Sequence, residues 1–349
     1  MNLNNICGVP FREITLYYDF EGRDLISAYP CCSAWLKEPY RIFCLPVEED
    51  KDHKVDLMST WNSDKLKDFR KSILNGTYEF CKIGSCPFIF TRNLPEVPEI
   101  AIPYIEKGIT HLDYPPLITR TNIDRACNLQ CPSCRSYKIP FPNKNSYPRL
   151  VSILSSGTKK IFINGAGELF INRYLMKALQ EFSKDKYPDI DGFEIITNGT
   201  SFNRTAWLSL PKDLKDIILD VCISVDSVVK ETYNKIRIGG SFENLNKNLK
   251  FLSELRKEGS LKSLSYSCVL QKDNIKELPE FIKFAIEKNV DNLFINKIEN
   301  WGHISSKYFK EYMALPDDYL IVYKEIFEES IGLIKNSNVS LTSNLFKTD

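Results

Sequence analysis

The chain has 349 residues, of which 43% are hydrophobic and 26% charged, enough for one large and one small domain with a sizeable core. Its 46 Lys and Arg against 45 Asp and Glu leave a formal charge of +1, which argues against nucleic acid or an anionic membrane surface as partner. No apolar run approaches the ~18 residues of a membrane span, and the opening MNLNNICGVPFREI lacks the basic and apolar regions of a signal peptide, so a cytoplasmic location is expected.

Residues 1–92 read as a small, cysteine-rich α+β domain. Glu13–Tyr18 and Leu25–Tyr29 flank DFEGRD, a hairpin signal with Gly22 in the turn. Asn62 or Ser63 can cap a helix running to about Asn75 that buries Leu66, Phe69 and Ile73, and Gly76 ends it. Residues 93–111 include LPEVPEIAIP, with three prolines and little periodicity, and read as a linker.

From 112 to 302 strand and helix signals alternate, which implies an α/β fold with a parallel sheet or barrel. The expected strands are Leu117–Ile123, Lys160–Asn164, Phe193–Thr197, Ile217–Asp226, Leu264–Leu270 and Asn292–Asn296. Among the helices, one has Ser241 as cap with Phe242, Leu245, Leu249, Leu252 and Leu255 on one face. Another starts at Leu278 with Pro279 in its first turn, where a missing N–H costs little. Residues 303–349 read as a terminal helix and tail.

Eleven cysteines without a secretion signal do not read as disulfides, because the cytosol keeps thiols reduced. Six of them (Cys7, Cys31, Cys32, Cys44, Cys81, Cys86) fall in the first 86 residues, and three form CNLQCPSC directly after the Leu117–Ile123 strand. With only three histidines in the chain, imidazole is not the main ligand anywhere. Three thiolates at CxxxCxxC spacing (Cys127, Cys131, Cys134) can hold three irons of a [4Fe–4S] cube and leave the fourth open to a small chelating molecule. A structural zinc site would want a fourth protein ligand, and no Cys or His lies nearby.

This motif resembles that of the radical S-adenosylmethionine (SAM) superfamily. The resemblance implies a partial (β/α)6 barrel with its chemistry at the carboxyl ends of the strands. It also implies an exchangeable SAM on the open iron, a flavodoxin- or ferredoxin-type electron donor, and cleavage of SAM to a 5′-deoxyadenosyl radical that abstracts hydrogen. Carried over residue by residue, Gly167 and Glu168 of NGAGEL match the acid that receives the SAM ammonium, although Ala166 and Leu169 depart from the family pattern. Asn198 of TNGT would reach the ribose hydroxyls, Ser224 the ribose or carboxylate, and Arg237 of KIRIGG the carboxylate. Ser133 stands where the family usually has an aromatic residue near the adenine, so either another side chain such as Tyr137 covers that face or the adenine lies slightly differently. In DVCISVD, alternation sends Asp220, Cys222, Ser224 and Asp226 to one face. A Cys222 thiol there is a candidate hydrogen donor for an epimerase, against its plainer reading as a buried small hydrophobe.

The N-terminal cysteines resemble the SPASM/twitch extension, which carries an auxiliary [4Fe–4S] cluster and normally follows the barrel rather than preceding it. The ligand set carried over is Cys7, Cys32, Cys81 and Cys86, with Cys31 or Cys44 as alternatives to Cys32, and a zinc staple as the alternative metal. Relatives with this extension act on peptides or on sugars and aminocyclitols; the expected substrate is a peptide or protein, with a sugar-type substrate as runner-up. A non-catalytic iron–sulfur or zinc scaffold is the reading from a different class.

Overall fold

The computed structural model describes residues 3–18, 24–37, 45–163, 167–300, 304–343 and 345. They gather into two compact units. One comprises Met1–Arg125, Asn143–Gly167 and Lys177–Phe193; the other comprises Ala126–Pro142, Glu168–Met176 and Glu194–Asp349.

In the first unit, β1 (Glu13–Tyr18) pairs antiparallel with β2 (Ile26–Tyr29) in the register Thr15↔Tyr29 to Tyr18↔Ile26, and β2 pairs antiparallel with β3 (Leu45–Pro46). The expected hairpin therefore forms, although its Gly22 turn lies outside the described residues. The other edge of β1 pairs in parallel with β4 (Ile118–Asn122), which in turn pairs in parallel with β5 (Lys160–Ile163). The first 92 residues thus do not close on themselves: their leading strand is built into a parallel sheet with residues beyond 111. The Asp64–Leu74 helix follows Ser63, whose side chain makes no capping hydrogen bond, and buries Leu66, Phe69 and Ile73 as expected. It also buries Arg70, whose guanidinium lies over Trp61 and donates to the carbonyls of Pro10, Thr110 and Trp61. Those three acceptors satisfy a charge that is otherwise expensive to bury. The stretch read as a linker contains a 3-10 turn at Glu99–Ala101 and a short helix at Ile102–Glu106, with Ala101 and Ile105 fully buried.

In the second unit, which takes β6 (Gly192–Thr197) from Glu194 onward, the strand order is β6, β7 (Ile218–Ser224), β8 (Leu264–Leu270), β9 (Asn292–Lys297) and β10 (Ser340–Ser343). Strands β7 to β10 are paired in parallel. Strand β10 was expected as tail. The Phe242–Lys257 helix buries Leu245, Leu249, Leu252 and Leu255, each burial contributing about 1.5–3 kcal/mol. Its cap is as expected: Ser241 Oγ accepts from the Asn244 N–H, worth ~1 kcal/mol. The same helix carries buried Asn248, whose Nδ2 donates to the carbonyls of Gly199 and Thr200. That pair pins the turn after β6, which needs glycine because Gly199 sits at φ +72° and a Cβ there would come within 2.7 Å of Ile223. No helix among the described residues is long and apolar enough to cross a membrane.

Candidate functional site

The cysteine loop lies in the second unit. Cys127, Leu129 and Cys131 form a small buried group, and Cys134 is exposed. Two backbone bonds anchor the loop: Cys127 N donates to Ile139 O at 2.7 Å and Gln130 N to Ile238 O at 2.8 Å. Burial pushes the Cys127 thiol up to about 11, and burial likewise raises Cys131, where Arg237 opposes it. Among the described residues, no three Cys, His, Asp or Glu side chains converge tightly enough to hold a metal ion as they stand. Thiol sets of this kind close on their metal, because neutral buried thiols gain nothing from approaching one another until metal binding deprotonates them. The donor chemistry suits the cluster implied by the spacing: three soft thiols on one loop, with N–H donors around them.

Glu168 is 2% exposed, and its amide N–H donates to Ala126 O just ahead of the cysteine loop. Its Oε1 accepts from Thr197 Oγ1 at 2.6 Å and from Phe170 N at 3.1 Å; its Oε2 accepts from Asn198 N at 2.7 Å. The bond from Phe170 makes it a cap for the 3-10 turn Leu169–Ile171. Burial still pushes this carboxyl up, although the bonds from Thr197, Asn198 and Phe170 oppose it. The Arg237 guanidinium opposes the rise as well, and a carboxylate oxygen such as Oε2 can accept more than one hydrogen bond. Gly167 directly precedes it; Asn164, Gly165 and Ala166 lie outside the described residues.

Asn198 does not face open space. Its Nδ2 donates to Asn128 Oδ1 at 3.0 Å and points at Cys127 Sγ at 3.7 Å, while its Oδ1 accepts from Thr200 N and Oγ1. Arg237 is likewise engaged, with Asp226 at 2.8 Å and Cys131 Sγ at 3.8 Å. Tyr137 is 59% exposed.

The polar face of β7 forms as expected up to its end. Asp220 accepts from Ser263 and Ser265, Asn292 donates to both serines, and Ser224 pairs with Ser267 at 3.2 Å. Asp226 departs from that alternation because the strand stops at Ser224 and Asp226 adopts a left-handed φ of +63°. Cys222 stands one layer below Ser224, buried, with its thiol pushed up to about 12 mainly by burial. Cys268 is also buried, and its Sγ faces Asp226 O at 3.4 Å.

The N-terminal cysteines lie in the first unit. The electrostatic neighbours of Cys31 include Cys81, Cys7 and Cys86, and those of Cys81 include Cys7 and Cys86. Cys32 is a neighbour of Cys31 as well, so both adjacent cysteines stay candidates beside Cys7, Cys81 and Cys86; Cys44 lies outside the described residues. Burial pushes Cys7 up to about 11 and Cys81 up to about 12. Tyr78, which the sequence did not single out, accepts from Cys7 N and donates to Asn5 O from a left-handed φ of +48°. Asn128 and Arg135 were also missed, although both sit in the motif itself and are polar where a bare loop would not need them to be.

No protein-family model matches the chain. A protein of Sulfurisphaera tokodaii named "Probable GTP 3′,8-cyclase" is 29% identical over 190 residues, covering 52% of this chain and 56% of that protein. A tungsten-containing aldehyde ferredoxin oxidoreductase cofactor-modifying protein of Pyrococcus furiosus is 26% identical over 188 residues, covering half of each chain. The chain thus spans about half the length of these curated relatives. Among solved structures, SuiB of Streptococcus suis matches with a TM-score of 0.51 at 18% identity, over 86% of this chain and 67% of SuiB. Its SAM-bound form matches at 0.50 and 15%, over 87% and 68%. That likeness is one of fold, an α/β architecture with a parallel sheet, as the strand and helix signals implied. With the CNLQCPSC loop, the buried acid of the GEL turn beside it and these relatives, the chain resembles the radical SAM superfamily.

Proposed function

We propose that the protein reductively cleaves SAM to a 5′-deoxyadenosyl radical and abstracts hydrogen from a peptide or protein substrate, ending in oxidation, cross-linking or epimerisation. A [4Fe–4S] cluster on Cys127, Cys131 and Cys134, when bound, supplies the electron and an open iron for the SAM amine and carboxylate. The observation that carries this reading is the meeting of the cysteine loop and Glu168 in one unit, with Asn198 hydrogen-bonded to Glu168 through its amide and facing Cys127 through its side chain. Glu168 then orients the SAM ammonium, and Ser224 remains the candidate for the ribose or carboxylate. A groove of about 390 Å³ beside the cysteine loop, lined by residues including Gln130, Pro132, Arg135, Ile238 and Tyr308, suits an extended peptide. The polar ladder of Asp220, Ser265 and Asn292 favours the second reading, a sugar or aminocyclitol. Curated relatives named for a nucleotide cyclase and for cofactor modification also favour a small molecule. The electron is expected from a flavodoxin- or ferredoxin-type donor.

We further infer that Cys7, Cys31, Cys81 and Cys86 hold an auxiliary [4Fe–4S] cluster. A complete set of four ligands suits electron transfer rather than substrate chelation. Anaerobic reconstitution tests both sites at once: iron near eight per chain, with 5′-deoxyadenosine formed under strong reductant, is expected for two cubes. Cys31→Ala should bring iron down to about four, whereas Cys32→Ala should leave it near eight. The opposite pattern, or zinc retained in the N-terminal unit, would overturn this assignment.

Cys222 separates two outcomes of the same radical step. Its burial and its place one layer below Ser224 favour the plain hydrophobic role. We therefore expect Cys222→Ala to keep its turnover, Cys81→Ala to lose it, and no solvent deuterium to enter the product carbon. Deuterium in the product together with an inactive Cys222→Ala enzyme would instead make Cys222 the hydrogen donor of an epimerase.

A further inference from the structure

The KIRIGG turn is moulded to the cysteine loop. Besides the bond from Gln130 N to Ile238 O, a Cβ on Gly239, at φ +88°, would stand 3.2 Å from the Asn128 carbonyl oxygen. This close approach delivers Arg237, whose NH1 donates to Cys131 Sγ at 3.8 Å and whose NH2 pairs with Asp226 Oδ2 at 2.8 Å. Asp226 is itself held from other directions. Its Oδ1 accepts from Val269 N at 2.9 Å, its carbonyl accepts from Asn274 Nδ2 at 2.8 Å, and its backbone sits in the left-handed region. The other two motif sulfurs are met similarly, Cys127 by Asn198 Nδ2 at 3.7 Å and Cys134 by Arg135 NH2 at 3.6 Å. Each sulfur of the loop thus faces a side-chain N–H donor, and two of the three donors are guanidinium groups.

Donors aimed at cluster sulfurs stabilise the more negative, reduced form and raise its potential. A guanidinium adds charge to that effect. The fork of Arg237 is already engaged at both ends, NH1 on Cys131 Sγ and NH2 on Asp226, and its Nε is buried without a partner.

We propose that Arg237, held by Asp226, acts on the cluster through Cys131 and sets its reduction potential, instead of binding the SAM carboxylate. This rests on the cluster being carried by Cys127, Cys131 and Cys134. The test is a redox titration of the full-length reconstituted protein followed by electron paramagnetic resonance. The relevant signal is the one absent when all three cysteines are replaced. Arg237→Gln should weaken reduction of that cluster at least about tenfold, ~59 mV for a one-electron couple, while SAM affinity by equilibrium dialysis stays within about twofold. Arg237→Lys keeps the charge but not the fork, and should recover about half of that shift. An unchanged potential with SAM bound tenfold or more weakly would make Arg237 a carboxylate ligand and overturn the inference. If Arg237→Gln takes up no iron, the lysine variant decides: a smaller shift in the same direction supports the inference, and none overturns it. Wild-type protein with no signal dependent on the three cysteines would defeat the functional reading itself, and this inference with it.

Discussion

Replacing Cys127, Cys131 and Cys134 together by Ala is expected to abolish 5′-deoxyadenosine formation entirely and to remove about four irons per chain, one cube. The iron of the N-terminal unit should stay, because its proposed ligands Cys7, Cys31, Cys81 and Cys86 belong to a different part of the chain. Loss of fold is not the expected cause: Cys134 is exposed, and Cys127 and Cys131 each bury only a small side chain. Circular dichroism and iron counting on the same preparation separate the two effects. A triple variant that still made 5′-deoxyadenosine under strong reductant would remove the central assignment.

Glu168 should show two effects of different origin. Glu168→Ala leaves the donors Thr197 Oγ1, Asn198 N and Phe170 N facing a cavity, and hydrogen bonds to a charged group contribute about 1.5–3 kcal/mol each. That variant should lose both SAM binding and thermal stability, with the turn carrying Asn198 loosened. Glu168→Gln keeps an oxygen for Thr197 and Phe170 but removes the charge that an ammonium would meet. It should weaken SAM affinity about tenfold, ~1.4 kcal/mol, with iron content retained. Equilibrium dialysis with labelled SAM checks this, alongside thermal melts of both variants. Unchanged affinity in the Gln variant would leave Glu168 with its capping role alone.

The cysteine loop, the strands and the capped helices were legible in the sequence because each is a local pattern. CNLQCPSC is a spacing of ligands on one loop, Leu264–Leu270 is a run of alternation and apolar residues, and Ser241 followed by Leu245, Leu249, Leu252 and Leu255 is a cap and a helical stripe. What only the tertiary structure decided involves partners remote in sequence. Residues 1–92 looked separable because nothing in Glu13–Tyr18 says that its second edge pairs with Ile118–Asn122, and Ser340–Ser343 looked like tail because its partner is Asn292–Lys297. Adjacent Cys31 and Cys32 are indistinguishable by spacing, and only the folded backbone brings Cys7, Cys81 and Cys86 among the neighbours of Cys31. Arg237 was expected at a ligand carboxylate. The left-handed turn at Asp226 and the close approach of Gly239 to the cysteine loop place its guanidinium beside Cys131, a contact no local pattern announces. Residue type and spacing determine what chemistry a side chain can do, whereas the register and turns of distant segments determine which atom it meets.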